Sequence, residues 1–186
     1  WDIEEGRCIQ KLHGHKGLIY SVCFIGDSHL IATASYDCDI RLWDLEQGDC
    51  IKILQGHTGG INAIAFDADE KILISGSLDS SVRFWDISKG VCVKTVCGSN
   101  IKTQSLRFAP DGQVLATGAT DGSIRLWDIA SKSLTKMLLG HTDAIWSIGF
   151  SPDGEILATG SDDNTIKLWN IDTGNCIATI NGDIGR

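Results

Sequence analysis

Between Ala144 and Ile180 the chain alternates short apolar runs with clusters of turn-forming residues. The run from Ala144 to Phe150 is rich in Ile, Trp and Phe and stops at Ser151-Pro152-Asp153-Gly154. There Pro152 presets φ for the first turn position, and Gly154 supplies a positive φ. Ile156 to Ser161 reads as a second strand, and Asp162-Asp163-Asn164 as a tight polar turn. Thr165 to Trp169, with its β-branched residues, reads as a third strand, and Asp172-Thr173-Gly174 turns the chain into a fourth at Cys176 to Ile180. Four short strands in succession predict an antiparallel meander rather than a βαβ unit. No segment holds a 3.6-residue apolar period over a useful length. Both faces of such a sheet carry apolar residues, so it must stack against a neighbour on each side.

The same pattern recurs along the whole chain. Trp1, Trp43, Trp85, Trp127 and Trp169 are spaced by 42 residues without insertion or deletion. Asp2, Asp44, Asp86 and Asp128 follow four of them, and Asn170 follows the last. Gly14-His15 recurs at Gly56-His57 and Gly140-His141, while Gly98-Ser99 keeps the register without the histidine. A third marker, Asp37, Asp79, Asp121 and Asp163, precedes each tryptophan from Trp43 onward by six residues. Three markers locked to one period define a repeat architecture.

Paired G-H and W-D signatures at about 40–45 residues resemble the WD-repeat β-propeller family. The resemblance covers essentially the whole chain. It implies an all-β fold of four-stranded antiparallel blades, commonly about seven around a channel, and a non-catalytic role in assembling partners. The expected fold is an open arc of four blades from a larger propeller, with blades near 17–54, 59–96, 101–138 and 143–180. Residues 1–13 would end a preceding repeat. Fourth strands are expected near 7–12, 49–54, 91–96, 133–138 and 175–180, against four sets of first, second and third strands. One fourth strand is therefore left over, and the expectation is a piece of a longer array whose exposed end blades can associate. Pairing of 7–12 beside the third strand of the last repeat, near Ile166 to Trp169, would refute that expectation.

His15, Asp37, a strand hydroxyl and Trp43 could suggest a hydrolytic triad. The resemblance instead implies a buried hydrogen-bond network in which the aspartate holds the histidine, the histidine meets a hydroxyl, and the hydroxyl meets the indole N–H. The further sets are His57, Asp79 and Trp85, then His141, Asp163 and Trp169. Two slots qualify for the hydroxyl: Thr33, Ser75, Thr117 and Thr159, or Ser35, Ser77 and Ser161. Pairing across the hairpin brings the first set nearer the tryptophan. A triad repeated in every unit would mean several identical active sites, whereas every blade needs a satisfied buried network. The third repeat departs from the pattern, with Ser99 for histidine and Ala119 for serine, so Asp121 and Trp127 lack the usual set.

Partner-binding positions implied by the resemblance lie three and five residues after the G-H histidine and one before the turn aspartate. They are Leu18, Tyr20 and Tyr36; Gly60, Asn62 and Leu78; Lys102, Gln104 and Thr120; and Ala144, Trp146 and Asp162. Trp146 is the one tryptophan outside the repeating register. Together with Tyr20 and Tyr36 it offers aromatic anchors of the kind enriched at interface hot spots.

Composition narrows the function classes further. The formal net charge of −8 argues against general nucleic-acid binding, which calls for a basic face. No run approaches the roughly 20 apolar residues of a membrane helix. Among the seven cysteines, Cys8, Cys50, Cys92 and Cys176 share one register, with Leu134 in the slot they skip. That places them on different blades, too far apart for disulfides, and no short C-x-x-C zinc spacing occurs. They read as reduced, half-buried thiols of an intracellular, cytoplasmic protein. His13 and His29 have no counterparts one period away and read as lone surface histidines. No phosphate loop, H-E-x-x-H or G-x-S-x-G occurs, so neither a cofactor nor a metal is expected. The leading expectation is a scaffold that binds a peptide or partner domain on its loop face. The alternative is a ligand- or modified-peptide-sensing module of a larger multidomain signalling protein.

Overall fold

The structure, a computed structural model, describes residues 2–26, 29–67, 71–97 (without the Cys97 side chain) and 101–182. Trp1 and the Gly98-Ser99 pair, markers in the sequence reading, lie outside the described residues. The described regular elements are all strands, grouped into four antiparallel four-stranded sheets. The first contains β1 (Ile19–Phe24), β2 (Leu30–Ser35), β3 (Ile40–Asp44) and β4 (Asp49–Leu54). The second contains β5 (Ile61–Asp67), β6 (Ile72–Ser77), β7 (Ser81–Asp86) and β8 (Val91–Cys97). The third contains β9 (Thr103–Phe108), β10 (Val114–Ala119), β11 (Ile124–Asp128) and β12 (Ser133–Leu138). The fourth contains β13 (Ile145–Phe150), β14 (Ile156–Ser161), β15 (Thr165–Asn170) and β16 (Cys176–Asn181). Within each sheet the strands follow chain order, as short turns require.

The sheets stack one behind the next. β5 packs on β1 and β2, β9 on β5 and β6, and β13 on β9 and β10. Each boundary is filled by residues that the repeat supplies from both sides. Ala32, Ala34, Ile40, Leu42 and Leu54 of the first sheet meet Ile61, Ile64, Leu73 and Trp85 of the second. Ile74, Val82 and Phe84 meet Leu106, Leu115 and Trp127 in the same way. Ala116, Ile124, Leu126 and Leu138 meet Ile145, Leu157 and Trp169. The second, third and fourth sheets thus each turn their tryptophan toward the sheet before it. The result is an open arc of blades.

Residues 7–12, expected as a fourth strand, belong to no sheet. The turn before them does form: Asp2 Oδ1 accepts from Glu4 N and Glu5 N at 3.0 Å, and Asp2 N donates to Arg7 O at 2.9 Å. A fourth strand takes its hydrogen bonds from a third strand. In the register that pairs Trp43 with Cys50, Cys8 would face Trp1, outside the described residues. Nor does 7–12 pair with β15, whose neighbours are β14 and β16.

Candidate functional site

One recurring set of side chains is internal. In the second sheet Trp85 Nε1 donates to Ser75 Oγ at 2.8 Å. Ser75 Oγ lies 2.7 Å from His57 Nε2, and His57 Nδ1 lies 2.7 Å from Asp79 Oδ2. A neutral imidazole with its proton on Nδ1 satisfies this order, since each group then donates once along the chain. The fourth sheet repeats it with Trp169, Thr159, His141 and Asp163 at 2.9, 2.8 and 2.7 Å. The first repeats it with Trp43, Thr33, His15 and Asp37 at 2.7, 2.7 and 2.9 Å. Ser35, Ser77 and Ser161 make a different contact, each accepting from the amide of the turn aspartate two residues on. The glycine of each G-H pair lets the tryptophan approach: a Cβ on Gly140 would stand 2.9 Å from Trp169 Cη2.

This network holds its charges in fixed states. Burial pushes the Asp79 carboxyl up, but hydrogen bonds from Ser81, His57 and the Thr58 amide outweigh it and bring it down to about 2. Asp37 likewise falls to about 2, through the amides of Lys16 and Asp39 and the His15 ring, against the upward push of burial. Asp163 is held well below the usual carboxylate range by Thr165, His141 and Thr142 against the same push. Burial lowers the pKa of His57, with Asp79 opposing. A neutral histidine between a carboxylate and a hydroxyl resembles a triad, but the hydroxyl is itself buried and occupied by an indole N–H. Thr33 and Thr159 are buried in the same way.

Among the described residues, the third sheet shows the two ends of the network. Trp127 Nε1 still donates to Thr117 Oγ1 at 3.0 Å, and Thr117 Oγ1 has the Arg125 carbonyl at 3.5 Å. Asp121 takes the Ser123 amide and hydroxyl and stands 4.0 Å from the Arg125 guanidinium. Its side chain is 41% exposed, against 8% for Asp79 and 7% for Asp163.

Two further recurring contacts escaped the sequence reading. Ser81, Ser123 and Thr165 each donate a hydroxyl to the turn aspartate at 2.6 Å. Their signal was present two residues after that aspartate, broken only by Asp39 in the first repeat. Lys52, Lys94 and Lys136 reach across to the next sheet. Lys52 Nζ donates to Ile87 O and Ser88 O at 2.9 and 2.8 Å, and Lys136 Nζ to Ile171 O and Asp172 O at 2.8 and 2.7 Å. Lys94 Nζ donates to Ser131 O at 3.2 Å. The lysine spacing was visible in the sequence, but spacing does not state which carbonyls of the next sheet lie within reach.

The second set faces outward, and the backbone explains why. Tyr20, Asn62, Gln104 and Trp146 each occupy the extra residue of a bulge in the first strand of their sheet. A bulge re-aims its side chain. Leu18, Tyr20, Tyr36 and Trp146 are exposed, as are Lys102 and Asp162. Tyr20 and Tyr36 meet edge to face at 6.3 Å. Gly60 is buried against Tyr36, where a Cβ would strike the ring at 2.7 Å, and Ala144 is buried too, so neither of these carried-over positions presents surface. Asn62 donates to Thr103 O at 3.2 Å and to the Gln104 side chain, linking slots across a sheet boundary. Leu78 and Thr120 are half-buried.

His29 is not the lone surface residue expected: its Nε2 lies 3.5 Å from Asp44 Oδ2 and its Nδ1 3.8 Å from Glu46 Oε1. Strand pairing sets Cys50, Cys92 and Cys176 opposite their tryptophans, with Sγ directed at the carbonyl two residues on. Cys8 and Cys176 are exposed rather than half-buried. No helix among the described residues is long and apolar enough to cross a membrane.

Meander sheets stacked tryptophan to apolar face, each pinned by a Trp–hydroxyl–His–Asp network or its remnant, define a WD-repeat β-propeller arc. The IFT122 first beta-propeller family model matches residues 1–182, and the chain belongs to that family. None of the curated proteins compared with the chain matches it.

Proposed function

We propose that the chain is a non-catalytic scaffold that binds a peptide or partner domain on the loop face, anchored by Tyr20, Tyr36 and Trp146. The supporting observation is that the bulge in each first strand turns one side chain outward, and two of those four are exposed aromatics. Asn62 and Gln104 fill the same slots with hydrogen-bonding groups, and Leu18, Leu78, Lys102, Thr120 and Asp162 surround them. Aromatic anchors beside polar groups suit an extended peptide better than an apolar small molecule. The test is selection of a phage-displayed random peptide library on the immobilised chain. The selected peptides are then measured against Tyr20→Ala, Tyr36→Ala and Trp146→Ala. Loss of about 30-fold in affinity, equivalent to about 2 kcal/mol, at one or more of these positions supports the reading. Equal binding to all three variants overturns it.

A second reading, a ligand-sensing module of a signalling protein, has one observation behind it. A cleft of about 490 Å³ between the first two sheets is lined by Ile25, Leu30, Leu42, Ile51, Phe66 and Ile87. That size falls within the range of small-molecule pockets. Thermal shift against a panel of apolar ligands, with Phe66→Ala as control, separates it from the peptide reading. We place the protein inside the cell, in the cytoplasm, with all thiols reduced. Titration of the denatured, freshly reduced and desalted protein is expected to find seven free thiols, and fewer would count against the placement.

A further inference from the structure

Building on the ligand-sensing reading, we infer that the cleft between the first two sheets takes a fatty acid, a single apolar chain ending in a carboxylate. The first sheet supplies Leu42, Ile51 and Lys52 to its wall, and the second supplies Phe66, Ile87 and Ser88. The repeat does not demand an apolar hollow in this place. The slot of Ile25 is filled by Asp67, Ala109 and Ser151 one, two and three periods on. That of Leu42 holds Phe84 in the second sheet, buried among Leu106, Leu115 and Trp127. In the corresponding place at the second boundary lies a hollow of about 220 Å³, lined by Asp67, Asp111, Gln113 and Asp128. The same sheet packing accepts carboxylates there, so the apolar lining belongs to the first boundary's own residues and not to the fold.

Two cations line this apolar hollow, Lys52 and Lys71. Lys52 Nζ donates to Ile87 O and Ser88 O at 2.9 and 2.8 Å, which uses two of the ammonium's three protons and leaves its charge without a counter-ion. Lys71 is exposed and makes no ion pair among the described residues. Its slot holds His29, Gln113 and Glu155 in the other sheets, and of the four only Lys71 has a positive φ, 55°. A left-handed backbone disfavours every residue but glycine, and such positions gather at ligand sites. Asp86, beside the lining Ile87, is engaged by the Ser88 hydroxyl, the Lys89 amide and the Lys89 ammonium at 3.0 Å. Among the described residues no carboxylate lines the cleft. An apolar trough with a few fixed polar groups sets both the body and the orientation of its ligand, and here those groups are cations. A molecule of net charge −8 repels anions at large, so attraction for a carboxylate at this place comes from the two lysines.

Isothermal titration calorimetry of the whole chain with octanoate, decanoate and laurate, each below its micelle concentration, tests this. Affinity is expected to rise about fourfold per added methylene. Against decanoate, 1-decanol is expected to bind about tenfold more weakly, since it lacks the charge. Lys71→Gln, which installs the residue of the third sheet at an exposed position, is expected to narrow that gap by weakening decanoate and leaving decanol unchanged. Leu42→Phe, which installs the residue of the second sheet, is expected to abolish binding of both with an unchanged circular dichroism spectrum. Decanol binding as tightly as decanoate, or decanoate indifferent to Lys71→Gln, overturns the inference while the ligand-sensing reading stands. Failure of all three carboxylates to bind also overturns it, and the wider panel of apolar ligands then decides the ligand-sensing reading by itself.

Discussion

The second and third sheets are built on one template and differ in how far their internal network reaches. In the second, the indole proton of Trp85 begins a chain through Ser75 and His57 to Asp79 with no contact longer than 2.8 Å. In the third, among the described residues, the chain runs from Trp127 to Thr117, and Asp121 turns outward to solvent and Arg125. Yet the strands, their register and the first-strand bulge are the same. The comparison teaches that stacked apolar faces set the sheet, while the polar network adds stability and tethers the G-H loop to the hairpin turn.

The largest difference is expected between Thr159→Val and Thr117→Val, the same change in a complete and an incomplete network. The first strands the Trp169 indole and the His141 ring together, the second the Trp127 indole alone. Each orphaned buried group costs about 1–3 kcal/mol. Urea denaturation should therefore show Thr159→Val the less stable by that amount, and equal midpoints would break the comparison.

Next comes the pair Asp79→Ala and Asp121→Ala. Removing the carboxylate that holds His57, Ser81 and the Thr58 amide is expected to cost about 1–3 kcal/mol. Loss of Asp121 is expected to stay within about 0.5–1 kcal/mol, since its carboxylate is 41% exposed and screened by water. Shifts of equal size would mean that the network carries no stability of its own.

Acid should separate the same sheets by a smaller margin. His57 has its pKa lowered by burial, so the unfolded chain takes up its proton first and stability falls as pH drops below about 6.5. Asp79 is depressed to about 2, so its contribution is present above the unfolded value and is lost as pH falls from about 4 toward 2. Asp79→Ala is expected to shrink the lower window, leaving the parts that the depressed carboxyls of Asp37 and Asp163 contribute. A lower window that survives Asp79→Ala unchanged would place the acid sensitivity elsewhere.

The fold was legible because one period fixed tryptophans, glycines and turn aspartates together, and each marker has a local physical role. The fourth strand expected at 7–12 was not, because a strand needs a partner and its apolar pattern does not name one. The first-strand bulges were illegible for a related reason: Tyr20, Asn62, Gln104 and Trp146 share no chemistry, and only backbone pairing shows that they share a conformation. The hydroxyls of Ser81, Ser123 and Thr165 and the bridging lysines left regular signals. Their roles depend on which neighbour lies within reach, which spacing does not state.

The central claim is that the recurring His–Asp sets serve the fold while the bulge aromatics serve binding, and Trp146→Ala tests it most directly. Affinity for a library-selected peptide and the urea midpoint are measured on the same preparation of that variant. The account predicts an affinity weakened by about 30-fold and a midpoint equal to that of the wild type. Undiminished binding with a lowered midpoint would make Trp146 part of the core and contradict the account.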